Sequence, residues 1–162
     1  GCDVRGAVVG GDSLRDRRYG DEIRELIARL DLEGQVVMVG PVPQCDISSW
    51  YWGCFAHVNL SPTGALDKAA LEAMACGKPS FVANEAYADT LGPWRGQLMF
   101  RHGDAVDLAD RVQDLLECPP EVQTEMAAGL RQSVIDRHGL DRLADRLVQV
   151  FAMVTSDGAQ PD

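Results

Sequence analysis

The sequence predicts an α/β domain built on a parallel sheet with helices on both faces. Two observations carry this. Short apolar runs alternate with helical stretches at intervals of roughly 20–25 residues, the spacing of βα units. The segment Ala56–Ala83 holds one complete unit. An apolar run (Ala56–Leu60) leads into a loop of small residues (Ser61–Lys68, SPTGALDK). A helical stretch follows, stopped by Gly77-Lys78-Pro79 before a second apolar run, Ser80–Ala83.

The other elements follow from the same pattern. Val4–Val9 is apolar and closes on Gly10-Gly11, which suits a buried parallel strand and a turn. Gly20–Leu32 places Ile23, Leu26, Ile27 and Leu30 on one helical face. Gln35–Gly40 reads as the second strand, and Ile47–Cys54 as a short helix carrying Trp50, Tyr51 and Trp52, with both tryptophans in packing roles. Ala56–Leu60 is the third strand, Lys68–Cys76 a helix and Ser80–Ala83 the fourth strand. Glu85–Leu91 reads as a short helix and Gln97–Phe100 as a last strand. Three helices end the chain: Ala105 to Leu116, Glu121–Asp136 after Pro119-Pro120, and Leu140 to Phe151. Residues 1–155 are read as one domain, and Ser156–Asp162 as a polar tail that frays.

At 162 residues and 46% hydrophobic content the chain has the size and composition of one soluble globular domain. No apolar run approaches the roughly 18 residues of a membrane span. The chain opens without Met and enters an apolar run almost at once, so it is expected to be a piece of a longer protein. A net charge of −10 disfavours a nucleic-acid partner, whose phosphates it would repel. A single diphosphate is a different matter, because it needs only local donors. The only two lysines, Lys68 and Lys78, flank the LEAMACG stretch (Leu71–Gly77), and arginine-biased codon usage is the favoured explanation of that. Five cysteines with no C-x-x-C pair argue against zinc or a disulfide framework, and suit reduced, mostly buried thiols in the cytoplasm.

The loop and helix Ser61–Glu72 carry the chemistry. Thr63, Gly64 and Ala65 let a ligand approach the backbone, and free N–H groups near Leu66–Ala69 point at it. Lys68 adds a point charge. Glu72 shares its helical face, while Leu71, Met74 and Ala75 are expected to face the sheet. A carboxylate there can accept two hydrogen bonds from a vicinal diol such as a ribose. The plainer readings are a surface ion pair for Lys68 and Glu72, and a helix N-cap for Asp67.

The segments SPTGALDKAALEAMACGKPSFVANEA, VVGG, VVMVGPVP and HGDAVDLADRVQDLL together resemble the C-terminal, donor-binding half of a group 1 (family 4) GT-B glycosyltransferase, from Val4 to about Leu116. The resemblance implies a Rossmann-like domain and a metal-independent, retaining transfer of a hexose. The donor would be a UDP- or GDP-sugar and the acceptor a glycan or lipid-linked molecule. It places Glu72 on the nucleotide ribose and Leu66, Asp67 and Lys68 beside the diphosphate. Pro41 and Val42, in the loop Pro41–Pro43, fall along the nucleobase, and Gly10 and Gly11 in the family's glycine turn. Any acceptor site, and any peripheral membrane association, would belong to the other half of such an enzyme.

Two departures stand out. The family's first glutamate, eight residues before Glu72, is replaced by Gly64, which leaves the donor sugar without its expected acid. Asp67 or Lys68 is the candidate to take over a sugar or phosphate contact, with Glu85 in the Asn84–Ala86 turn a further candidate. The family's upstream Arg and Lys, and a central strand before them, are also missing. The strands at Val4 and Ala56 are therefore expected to pair with each other or to leave unmatched edges, and the isolated chain to lack transferase activity. A non-catalytic doubly wound nucleotide-binding or interaction module is the competing reading. An epimerase or phosphorylase on the same scaffold is a third, but its usual residues are lacking. His57 is read as a hydrogen-bonded strand residue, His102 and His138 as solvated, and Arg15–Arg18 as a solvated loop.

Overall fold

The computed structural model describes residues 4–11, 17–62, 64 and 66–157. The chain forms two compact units, Gly1–Ser49 and Trp50–Asp162. In the first, strand β1 (Gly6–Val9) leads to helix α1 (Arg17–Arg29) and strand β2 (Val36–Gly40). The two strands pair in parallel, from Gly6 opposite Val36 to Val9 opposite Gly40, with a register shift after Val8. Helix α1 begins at Arg17, so Arg17 and Arg18 are helical and not loop, and Arg18 pairs with Glu22 at 3.0 Å. Asp31, at φ 56°, turns the chain out of the helix. The strand expected to be buried is open to solvent: Val8 is 45% and Val37 55% exposed, and so are Leu26 and Leu30 on α1. Two strands and one helix cannot cover both faces of a sheet.

The second unit holds the core. It runs through α2 (Ile47–Gly53, which starts in the first unit), β3 (His57–Asn59), α3 (Lys68–Ala75) and β4 (Ser80–Val82). Short helices α4 (Ala88–Leu91) and α5 (Arg95–Leu98) follow, then α6 (Ala105–Glu117), α7 (Pro120–His138) and α8 (Leu140–Asp157). β3 and β4 are parallel, with Val58 opposite Phe81. Among the described residues the strands form two separate two-stranded sheets, β1 with β2 and β3 with β4.

β4 is buried on both faces, as a central parallel strand should be. Phe81 and Val82 pack with Met74 of α3, Tyr87, Leu91, Leu98 and, on α7, Met126 and Leu130. Helix α3 ends as Gly77-Lys78-Pro79 suggests. Gly77 sits at φ 74°, its N–H donates to Met74 O (2.9 Å), and Lys78 N–H donates to Ala73 O (3.0 Å). These two bonds make a Schellman motif, which satisfies carbonyls the helix leaves open.

Several expectations are corrected. Gln97–Phe100 is not a strand: α5 runs to Leu98, and only Met99 bridges to Val82. The run contains no β-branched residue, and Gln, Leu and Met are good helix formers. The buried stripe of α3 is Ala70, Ala73 and Met74, with Leu71 and Ala75 half-buried at its edge. In α2 the buried aromatic is Tyr51, while Trp50 and Trp52 are 38% and 62% exposed. Adjacent helical residues point about 100° apart, so only one of three can face inward. None of the described cysteines is buried: Cys45 is exposed, Cys54, Cys76 and Cys118 are intermediate, and all four are free. Cys2 lies outside the described residues. Helix α8 continues through Asp157, past the expected start of the tail, and residues 158–162 are not described.

Candidate functional site

Helix α3 starts at Lys68 on a cap that uses most of its neighbourhood. Asp67 Oδ1 accepts from Ala69 N–H (3.0 Å), the N-cap bond. Oδ2 accepts from Asn59 Nδ2 (2.9 Å) and from Ser61 Oγ (3.4 Å). Asn59, itself buried at the end of β3, also receives Ser61 N–H. The main chain of Asp67 is clamped by one hydroxyl: its N–H donates to Tyr87 Oη, and Tyr87 Oη donates back to its carbonyl, both at 2.7 Å. Burial raises the pKa of Tyr87, so the hydroxyl keeps the proton it donates. Asp67 thus acts as a cap with both oxygens engaged.

One turn into α3, Glu72 is half-buried and its Oε2 accepts from Tyr51 Oη at 3.2 Å. Tyr51 is 8% exposed. Burial first, then the Glu72 charge, pushes its pKa up to about 12, so it remains a donor at neutral pH. The Tyr51 ring meets the His57 ring edge-on at 6.0 Å, and His57 Nδ1 lies 3.3 Å from Ser80 Oγ. Burial lowers the pKa of His57, which makes it a neutral packing residue, as expected for a strand histidine.

Lys68 and Glu72 open together, with Leu66, onto a cleft of about 540 Å³ between α3 and the turn from α7 to α8. No ion pair joins Lys68 to Glu72 among the described residues. The structure therefore brings Leu66, Lys68 and Glu72 together at one opening. Gly64 is exposed with φ 149°, a conformation that L side chains rarely adopt. A side chain at this position would therefore be strained. Thr63 and Ala65 lie outside the described residues. Gly10, Gly11, Pro41 and Val42 belong to the first unit, where Gly10 N–H donates to Gly40 O (2.9 Å). A Cβ on Gly11 would stand 3.4 Å from Pro41. Glu85 pairs with Arg95 at 2.7 Å on the surface. His102 is exposed, as expected, but exposed His138 shares a hydrogen bond with Thr90 Oγ1 (2.8 Å). Among the described residues no three His, Cys, Asp or Glu side chains group to hold a metal, and no helix is long and apolar enough to cross a membrane.

The sequence profile of the family described as "Glycosyl transferases group 1" matches residues 2–118. The chain belongs to the group 1 glycosyltransferases. Among its relatives in this family is a D-inositol 3-phosphate glycosyltransferase of Frankia alni, 32% identical over 128 residues, which cover 76% of this chain and 30% of that protein. In fold it is similar to sucrose-phosphate synthase from Thermosynechococcus elongatus (TM-score 0.81, 23% identity, 93% of this chain and 38% of that one). It is also similar to Anabaena Alr3699/HepE solved with UDP (TM-score 0.78, 21% identity, 93% and 41%). The fold is that of the GT-B glycosyltransferases. The chain spans about a third of the length of the curated relative.

Two residues of this group 1 domain escape a reading of its sequence. Tyr51 stands between two more conspicuous tryptophans, and only the helical phase of Ile47–Gly53 hints at which ring turns inward. Tyr87 reaches Asp67 across 20 residues, and no local pattern signals it.

Proposed function

We propose that this chain is the donor-binding, C-terminal half of a retaining glycosyltransferase that moves a hexose from a UDP- or GDP-sugar to a glycan or lipid-linked acceptor. The observation that carries the reading is Glu72: a carboxylate one turn into α3, one oxygen held by Tyr51, beside Lys68 at the mouth of the cleft. Held in that way, the carboxylate has a fixed plane and a second oxygen for the ribose hydroxyls. The start of α3 and Lys68 stabilise the charge that develops on the departing diphosphate, an electrostatic role that a bound cation plays in other enzymes. UDP bound to the similar Anabaena protein supports a nucleotide ligand.

By the resemblance alone, Gly10, Gly11, Pro41 and Val42 are assigned to the nucleotide as well, and residues 1–155 to one domain. Asp67 is assigned to shaping the loop, since its carboxylate oxygens are already engaged. The acceptor and the groups that complete catalysis are assigned to the remainder of the enzyme, in the cytoplasm, so this chain alone is expected not to turn over donor. Calorimetric titration of UDP and GDP tests the reading. Saturable binding of one of them, unchanged by EDTA, is expected. Absence of binding by the folded protein would refute it and favour a non-catalytic interaction module.

A further inference from the structure

We infer that His57 is a positioning residue for Glu72: it supports Tyr51 on one side and, through Ser80, the backbone of α3 on the other, and its protonation releases the ribose-binding carboxylate. The inference rests on the reading that gives Glu72 the ribose. It goes beyond that reading by making nucleotide affinity answer to a proton on β3.

The contacts close a circuit that starts and ends on α3. Glu72 Oε2 accepts from Tyr51 Oη at 3.2 Å. The Tyr51 ring stands edge-on to the His57 ring, with centroids 6.0 Å apart and planes at 71°. His57 Nδ1 lies 3.3 Å from the Oγ of Ser80, its register partner on β4. Ser80 Oγ lies 3.3 Å from the carbonyl oxygen of Ala70, two residues before Glu72 on α3. Ala70 and Ser80 are fully buried and Tyr51 nearly so, which keeps these links away from solvent. One imidazole thus joins α2, β4 and α3 around the carboxylate.

A proton can break the circuit at His57. The Ser80 hydroxyl has one hydrogen, and it donates to Ala70 O. The His57 contact is then a hydrogen bond only when the neutral ring carries its own proton on Nδ1. A charged ring has a second N–H to satisfy in a half-buried place, and burial resists that charge by lowering the pKa. The described groups that face His57 do not reverse this. From α2 it meets Tyr51, whose hydroxyl keeps its proton, and from β4 the uncharged Ser80. At the head of α3 the Asp67 carboxylate favours the charged ring, but burial outweighs it. A protonated ring is therefore driven toward water, and Tyr51 loses the support that aims its hydroxyl at Glu72.

The test is calorimetry with UDP and with 2′,3′-dideoxy-UDP, which lacks the hydroxyls given to Glu72. It is run over the pH range in which circular dichroism shows the chain folded, while NMR follows the His57 imidazole. The ratio of the two Kd values cancels the ionisation of the phosphates, which both ligands share. In the wild type the preference for UDP is expected to be full above about pH 6.5. It should fall about five- to tenfold as His57 titrates, the loss of one hydrogen bond to a charged group. His57→Phe keeps a ring against Tyr51 and loses the bond to Ser80. His57→Asn keeps an N–H donor near the Nδ1 position and loses the ring. Both variants should show a weaker preference for UDP, and neither should show the acid step. A merely structural histidine would lower Tm and leave the preference and its pH profile unchanged in the folded variants, and that result would overturn the inference. So would a wild-type preference that stays constant through the His57 titration, or a ring that stays neutral until the chain unfolds. In those cases the preference for UDP survives, and the reading of Glu72 with it. A wild type that binds both nucleotides equally at every pH, or binds neither, would overturn the two together.

Discussion

Replacing Tyr51 with Phe removes one hydroxyl and little else. The ring is 8% exposed and packs edge-on to His57, so the phenylalanine keeps the shape while the 3.2 Å bond to Glu72 is lost. Hydrogen bonds to charged groups contribute about 1.5–3 kcal/mol. Glu72 is half-buried and water can reach its freed oxygen, so the lower end applies, about 1.5 kcal/mol in stability. If Tyr51 orients Glu72 for the ribose, a comparable part reappears in binding, about a five- to tenfold weaker Kd for UDP. The assay is calorimetry with UDP and with its 2′,3′-dideoxy analogue. The wild type should prefer UDP, and Tyr51→Phe should lose affinity for UDP but hardly for the analogue. A double-mutant cycle with Glu72→Gln should show the two changes to be non-additive. Equal losses for both ligands, or none for UDP, would refute the role given to Tyr51.

Three further outcomes follow from the same network. Tyr87→Phe leaves the Asp67 N–H and carbonyl without their partner, which should cost about 1–3 kcal/mol in urea denaturation. An unchanged midpoint would show that the clamp is not needed. Gly77→Ala forces a side chain into φ 74° and should cost about 1–2 kcal/mol, visible as a lowered Tm without a change in nucleotide affinity for the folded protein. The pKa of His57 is lowered by burial, so below about pH 6.5 the unfolded chain binds a proton that the folded one resists. The neutral histidine's contribution is therefore intact above that pH and is lost as pH falls toward its folded pKa. His57→Gln should flatten the stability profile on the acid side of about pH 6.5, whereas an unaltered slope would count against it.

The unit Ala56–Ala83 was legible because each boundary has a local chemical cause. Asp67 caps its helix, Gly77 adopts the left-handed turn that ends it, and Phe81 and Val82 are apolar because β4 is buried on both faces. Gln97–Phe100 was misleading for the opposite reason: an apolar run of four has no period, and its fate depended on how Leu98 and Phe100 meet the core. The exposure of Val8 and Val37 could not be read from the run either, since an apolar strand looks the same whether or not its neighbours are present. For the site, residue type and spacing pointed to Glu72 and Lys68. The partner of Glu72, Tyr51, lies 21 positions away, and Tyr87, which holds Asp67 at the start of the same helix, lies 20 positions from it, so only folding brings them in. At Gly64 the φ of 149° disfavours any residue with a side chain, which the sequence pattern did not signal.

The central claim is that Glu72 receives a nucleotide ribose. A crystal structure of the chain with UDP tests it most directly. The account predicts both ribose hydroxyls within about 3 Å of the Glu72 carboxylate, with Tyr51 still bonded to its other oxygen. A ribose bound elsewhere, with Glu72 facing solvent, would contradict it.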